Sequence, residues 1–223
     1  MTAPVVFDAY GTLFDTGAAA ARLAAEPGRE ALAKVAPSLA ATWRDKQLAY
    51  TWLRAVAGDH ADFRRVTEDA LDYALEAVGL PHDIAPELMA LYDRLDAYPE
   101  ARACLETLRQ GGRPTAILSN GSPAMLDAAV SSAGLGPLLD AVLSVEAVGV
   151  FKPHARVYDL VGERFGGPAG EVLFVSSNGW DAACAAAYGF RTVWVNRRGE
   201  PVDRLPGRPW RIVSDLSAVP ALA

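Results

Sequence analysis

Residues 5–15 read Val5-Val6-Phe7-Asp8-Ala9-Tyr10-Gly11-Thr12-Leu13-Phe14-Asp15. Three apolar residues in a row, two of them β-branched, suit a parallel strand covered on both faces rather than an alternating, half-wet one. The run stops on an acid, Asp8, and glycine at position 11 lets the chain turn sharply behind it. The same kind of run recurs at Thr115-Ala116-Ile117-Leu118, Ala141-Val142-Leu143, Val172-Leu173-Phe174-Val175 and Thr192-Val193-Trp194-Val195. Helical patterns over 101–110, 124–133 and 154–164 fall between these runs, with Gly111-Gly112 and Gly134 as stop signals. Strand, helix, strand in this order predicts an α/β fold, a Rossmann-like doubly wound parallel sheet.

One stretch breaks the rhythm. From 16 to 96 the sequence offers helical patterns, at 29–35, 38–56, 63–78 and 84–94, and no convincing strand. Over 63–78 the residues Phe63, Val66, Ala70, Leu71, Tyr73, Ala74 and Val78 make one apolar stripe. The expected organisation is therefore a core of 1–15 and 97–223, with a helical cap subdomain of 16–96 inserted after the first strand.

In such sheets ligands bind beyond the carboxyl ends of the strands. Four strand ends are expected to deliver polar residues there: Asp8; Ser119-Asn120-Gly121; Lys152 after Val148-Gly149-Val150-Phe151; and Ser176-Ser177-Asn178 with Asp181. Each alone reads equally well as a cap or turn residue. Together they make a constellation: Asp8 as a nucleophile, Lys152 as the cation that keeps it ionised, and Thr12 as a hydrogen-bond donor that fixes its rotamer.

The segments DAYGTLFD (8–15), ILSNGS (117–122), FKPHARVY (151–158) and FVSSNGWD (174–181), in this order, resemble the haloacid dehalogenase superfamily. WRDKQLAYTWLR (43–54), followed by SSNGWD, is similar more narrowly to the (S)-2-haloacid dehalogenases. The resemblance covers nearly the whole chain. It implies that Asp8 displaces halide from C2 of an (S)-2-haloalkanoate, and that water then hydrolyses the aspartyl ester to an (R)-2-hydroxyalkanoate. Ser119 and the backbone N–H groups after Asp8, Ala9 among them, would hold the substrate carboxylate, while Asn120 and Arg44 attend the halide. Leu48, Phe63, Tyr10 and Trp180 would wall the alkyl group. Asp181 would activate or orient the water, with Ser176 and Asn178 positioning it and Lys152, and Tyr158 joining that network.

Superfamily phosphatases carry a second acid two residues after the nucleophile, to protonate the leaving alcohol and help hold Mg²⁺. That position is Tyr10 here, and Ser176, Ser177 and Asn178 precede a single acid, Asp181. A halide leaves without a proton, so dehalogenation tolerates these losses; no metal and no cofactor is expected. Asp45, Ala49, Ala155 and Cys184 depart from the pattern, at positions where Gln, Glu, Pro and Gly are frequent. A homodimer is implied by the resemblance alone.

Composition supports this class. Of 223 residues 51% are hydrophobic, and 21 Lys+Arg against 27 Asp+Glu leave a net charge of −6. A chain of this size buries roughly 70% of its unfolded surface, and it lacks the clustered cations of a nucleic-acid binder. No signal peptide or membrane span is read, so the expected location is cytoplasmic. The two cysteines, Cys104 and Cys184, read as buried small hydrophobes. His60, His82 and His154 are dispersed, and neither a G-x-S-x-G elbow nor a G-x-G-x-x-G fingerprint is present. Two other readings remain: a phosphatase of this fold acting on a small phosphate ester, and a catalytically idle binding protein.

Overall fold

The computed structural model describes residues 2–223. The chain runs β1 (Val5–Phe7), α1 (Ala18–Ala24), α2 (Glu30–Ala57), α3 (Phe63–Val78), α4 (Ala85–Tyr92), α5 (Ala101–Gln110), β2 (Thr115–Ser119), α6 (Pro123–Ser132), β3 (Ala141–Ser144), α7 (Ala155–Phe165), β4 (Leu173–Ser176), α8 (Gly179–Tyr188), β5 (Arg191–Val195) and β6 (Arg211–Val213). The strands form one parallel sheet in the order β3-β2-β1-β4-β5-β6. The chain goes outward from β1 to β3 and then returns to the other side through β4. The strand order therefore reverses between β1 and β4, which is where such a sheet opens a crevice. Phe7 is paired with Ile117 on one side and Val175 on the other, so Asp8 leaves the sheet beside the ends of β2 and β4. β1 is buried on both faces, as its uniform apolar run requires.

In chain order the helices α1–α4 fall between β1 and the core elements that follow. The two segments that connect them to the core run side by side: Phe14 bridges Ala97, Asp15 N–H donates to Asp96 O at 2.9 Å, and Tyr98 N–H to Leu13 O at 2.9 Å. α2 and α3 form a hairpin closed by buried Leu39, Trp43, Phe63, Val66, Ala70 and Leu71. The Trp43 indole N–H donates to Thr67 O at 2.9 Å across it. The Asp62 carboxylate caps α3 by accepting from Arg64 N–H at 2.7 Å.

Five readings need correction. The helices read at 29–35 and 38–56 are one helix with Pro37 inside it. Proline forfeits a backbone hydrogen bond in a helix interior, but buried Leu32, Ala36, Leu39 and Trp43 on either side hold the helix together. Val148-Gly149-Val150-Phe151 is no strand. Val145–Ala147 make a tight turn, and the N–H groups of Val148 and Gly149 both bond back to Val145 O at 3.0 Å, so Lys152 arrives on a loop. β3 is an edge strand and only partly buried. β6 escaped the reading because it pairs on one side only and Ile212 is 49% exposed. Cys104 is buried, whereas Cys184 is half-buried on α8.

Candidate active site

Asp8 sits at the carboxyl end of β1, held by its own N–H to Val175 O at 2.9 Å. Behind it the N–H groups of Thr12, Leu13 and Phe14 converge on the Ala9 carbonyl at 2.9–3.2 Å, and Gly11 takes the left-handed φ of +84° that this reversal demands. The turn returns Thr12 to the acid. Its hydroxyl donates to Asp8 Oδ2 at 3.1 Å and accepts from Ser177 N–H at 2.8 Å, tying the β1 and β4 loops together.

Lys152 is the centre of charge. Its Nζ lies 3.1 Å from Asp8 Oδ1 and 2.8 Å from Asp181 Oδ2, and the side chain is 1% exposed. Asp181, in the first turn of α8, is fully buried; its Oδ1 accepts from Tyr158 OH at 2.8 Å. Burial pulls the Lys152 ammonium down, but the Asp181 and Asp8 carboxylates outweigh it and hold the group above the ordinary lysine range. Burial, and then repulsion from Asp8, push Asp181 above the ordinary carboxylate range, against the pull of Lys152 and Tyr158. Burial and the neighbouring Asp181 raise the Tyr158 phenol well above its usual value, so it stays a donor.

Asp8 Oδ2 is the more crowded oxygen. Beyond Thr12 it accepts from Asn178 Nδ2 at 2.7 Å and from Ser176 Oγ at 3.5 Å. Asn178 Oδ1 in turn accepts from Arg44 Nη2 at 3.1 Å, which brings the helical insert to within one amide of the nucleophile.

A narrow cleft is lined by Asp8, Tyr10, Arg44, Leu48, Phe63, Ser119, Asn120, Lys152, Asn178 and Trp180. Core and insert each supply a wall. Thr12, Ser176 and Asp181 lie behind this lining and reach Asp8 or Lys152 through hydrogen bonds, Tyr158 bonds to Asp181 behind them, and Ala9 is buried in the turn. Tyr10 was expected as apolar wall, and its ring does lie against Phe63 and Tyr92 at 5.7 and 5.5 Å. Gly121 permits that placement, since a Cβ there would come within 2.7 Å of the Tyr10 ring. Yet the Tyr10 hydroxyl and the Trp180 indole N–H are buried without a hydrogen-bond partner among the described residues. Two orphan donors in one cleft wall need a ligand or water to satisfy them. Burial raises the Tyr10 phenol well above its usual range and so keeps its proton on.

Other contacts were not legible beforehand. Gln47 accepts from Arg44 within the insert and is itself held by Thr67 and Tyr92; the spacing of Gln47 from Arg44, three residues on one helix, was the available signal. Glu146 of the core accepts from Phe63 N–H at 3.3 Å and pairs with His60 at 2.9 Å. His60 is thus a link between insert and core rather than an idle residue, and nothing in its sequence surroundings marks it. Asp45 borders a wider, open cleft that shares Arg44, Leu48, Asn178 and Trp180 with the inner one.

Among the described residues no three His, Cys, Asp or Glu side chains gather into a metal-binding group, and no helix is long and apolar enough to cross a membrane. A family model described as haloacid dehalogenase-like hydrolase matches residues 5–189. An (S)-2-haloacid dehalogenase of Xanthobacter autotrophicus is 49% identical over 201 residues, 88% of this chain and 76% of that protein. (S)-2-haloacid dehalogenase 1 of Pseudomonas sp. (strain CBS-3) is 41% identical over 219 residues, 97% of this chain and 94% of that protein. A solved structure of the Xanthobacter autotrophicus L-2-haloacid dehalogenase, with chloropropionic acid covalently bound, superposes with a TM-score of 0.87 at 40% identity, covering 100% of this chain and 98% of that one. With the nucleophile, its counter-ion and the insert arginine assembled around one cleft, the chain belongs to the haloacid dehalogenase-like hydrolases and, within them, to the (S)-2-haloacid dehalogenases.

Proposed function

We infer that this chain hydrolyses (S)-2-haloalkanoic acids to (R)-2-hydroxyalkanoic acids and halide, through an ester of Asp8. One observation carries the reading: a carboxylate ion-paired with a buried lysine faces a small cleft whose opposite wall presents a guanidinium. Asp8 Oδ1 has one donor, Lys152, while Oδ2 has three. Oδ1 therefore keeps a lone pair for attack on C2; the C–halogen bond breaks, and halide leaves with the bonding electrons. Arg44 stabilises the charge that grows on it. Asn120 Oδ1 is taken by Lys152 N–H at 3.0 Å, which leaves its NH₂ end for the halide. Ser119 Oγ accepts from Gly121 N–H at 3.0 Å and so has its own proton to give the substrate carboxylate, beside the N–H groups that follow Asp8 and the Tyr10 hydroxyl.

The ester leaves Oδ2 as its carbonyl oxygen, already among Thr12, Asn178 and Ser176. When water attacks the Asp8 carbonyl carbon, those donors meet the charge on the tetrahedral intermediate. Asp181 takes the proton of that water; its burial makes it a stronger base than a solvent-exposed aspartate. Collapse of the intermediate breaks the C–O bond to the substrate; the departing alkoxide takes the proton back from Asp181 and leaves as the hydroxy acid, and Asp8 gives up its remaining proton to solvent to return as carboxylate. The carboxylates available to a divalent cation are Asp8 and Asp181, and the Lys152 ammonium already occupies the space between them, paired with both; a metal site of this class needs further oxygen ligands, so we assign a metal-independent reaction. We also assign residues 16–96 as a cap that closes on the 1–15 and 97–223 core. The homodimer implied by the resemblance would cover apolar cap surface such as Leu53 and Val56 of α2, 65% and 90% exposed.

The test is chloride release from each enantiomer of 2-chloropropionate in excess EDTA, with Asp8→Asn as control. Release from the (S) form alone, indifferent to EDTA and abolished in the variant, is the expected result. Activity lost to EDTA, with turnover of phosphate esters restored by Mg²⁺, would overturn the reading in favour of a phosphatase.

A further inference from the structure

Gln47 lies one turn beyond Arg44 on α2 and is 1% exposed, yet the reaction above gives it no part. A buried amide must find partners for both of its ends, and here the partners dictate which end points where. The Thr67 hydroxyl lies 2.7 Å from Phe63 O, one turn back in α3, and a carbonyl can only accept. Its proton is therefore spent, and toward Gln47 it can only accept. Gln47 Nε2 lies 2.8 Å away and supplies that bond. With the NH₂ end fixed on Thr67, Oε1 must face the other way, where Arg44 Nη1 stands at 2.7 Å. The Tyr92 hydroxyl, 3.2 Å from Nε2, closes the remaining side.

The guanidinium also donates toward the nucleophile. Arg44 Nη2 donates to Asn178 Oδ1, so Asn178 shows its NH₂ to Asp8 Oδ2. Two runs of hydrogen bonds thus diverge from Arg44, one ending on the backbone carbonyl of Phe63 and the other on the attacking carboxylate. We propose that Gln47 is a positioning residue for halide departure: its amide, oriented by Thr67, holds the Arg44 guanidinium toward the cleft without neutralising it. Neutrality matters as much as reach. A carboxylate at this position would bind Arg44 more strongly and cancel the charge the halide needs. An amide anchors the guanidinium and leaves its positive charge uncompensated.

The inference rests on the dehalogenase reading, so one readout is kept independent of turnover. Chloride binding is followed by chlorine NMR line broadening on the full-length protein, with Arg44→Ala defining the background. Gln47→Glu and Gln47→Leu are each expected to lose about tenfold in chloride affinity, the worth of one charge-assisted hydrogen bond. Thr67→Val, which frees the amide to flip, should fall between them and wild type, and Thr67→Ser should match wild type. In single turnovers the rate with 2-chloropropionate should drop more than that with 2-bromopropionate, because the poorer leaving group depends more on Arg44. Wild-type chloride affinity in Gln47→Leu and Thr67→Val, with both substrates slowed alike, would overturn the proposal. If wild type releases no halide while chloride binding still follows Gln47, the functional reading falls and the positioning role stands.

Discussion

The two walls of the cleft are built on different principles. The core wall concentrates charge: Asp8, Lys152 and Asp181 sit within two ion pairs of 3.1 and 2.8 Å, with Lys152 and Asp181 almost sealed from solvent. The cap wall holds one cation, Arg44, among apolar Leu48 and Phe63 and the neutral amide and hydroxyls of Gln47, Thr67 and Tyr92. On the proposed mechanism, charge that must survive a full catalytic cycle is paired and buried at the carboxyl end of the sheet. Charge that must receive an anion and then give it up is set in a helix with no acidic partner among the described residues. That reading gives bond making to the first wall, and leaving-group handling and size selection to the second.

Breaking the core wall should have the largest effect. Lys152→Met keeps most of the stem but leaves Asp8 and Asp181 buried together without a counter-charge, and the two cannot both stay ionised. Loss of one partner from a buried pair costs about 3–5 kcal/mol of stability. Because nucleophile and base fail together, the rate should fall at least about 10⁴-fold. Urea denaturation and single-turnover kinetics read the two effects. A variant of wild-type stability and activity would show that the lysine is a spectator.

On the cap wall the corresponding change is milder. Arg44→Lys keeps the charge but has no fork to bond Gln47 and Asn178 at once. The expected loss is about 10²–10³-fold in the rate of ester formation, the scale of one misplaced transition-state donor, with the melting temperature nearly unchanged because Arg44 is only half-buried. If the melting temperature fell as far as in Lys152→Met, the contrast between the walls would be lost.

How much of each wall could be read from the sequence follows the same division. Core residues stand at strand ends in chain segments whose apolar runs announce themselves, so Asp8, Ser119, Asn120, Ser176 and Asn178 are brought together as the runs imply. Lys152 is the exception: its apolar run is a turn and loop, and only tertiary contacts such as its N–H bond to Asn120 place it. The cap wall is less legible. Helical periodicity locates α3 to the residue, but it does not say which buried polar group meets which, so beyond the spacing of Gln47 from Arg44 nothing in the sequence marks Gln47, Thr67 or Glu146. A polar residue on a helix looks the same whether it faces water or an arginine; the difference lies in the second helix.

The pH dependence separates the walls further. Asp181 must be ionised to take a proton from water, and its raised value moves the acid limb of the hydrolytic step to higher pH than an ordinary aspartate would set. Below that limb the rate should fall about tenfold per pH unit. Lys152 is raised as well, so its contribution to stability is complete below the ordinary lysine value of about 10.4. That contribution is lost as pH climbs through the higher, folded value. The stability gap between wild type and Lys152→Met should therefore widen with pH while the variant's two carboxyls share a proton, and narrow above about pH 10, where Lys152 of the wild type begins to lose its charge. A gap that closed between pH 7 and 9 would contradict the pairing.

The smallest effect belongs to the apolar part of the cap. Leu48 lines both the inner cleft and the wider one outside it and is half-buried, so Leu48→Ala removes part of a wall without opening a deep core cavity. Methylene-scale changes in an apolar pocket discriminate substrates by about 1–3 kcal/mol. The variant should therefore shift preference toward longer 2-chloroalkanoates, chiefly through KM, while chloroacetate turnover changes little. The contrast between the walls predicts that kcat for the shortest substrate stays put, because no group that handles charge has moved. An equal loss on chloroacetate and on 2-chlorobutyrate would mean that Leu48 supports Arg44 through packing, and would make the cap a single mechanical unit rather than an arginine set in a selective apolar lining.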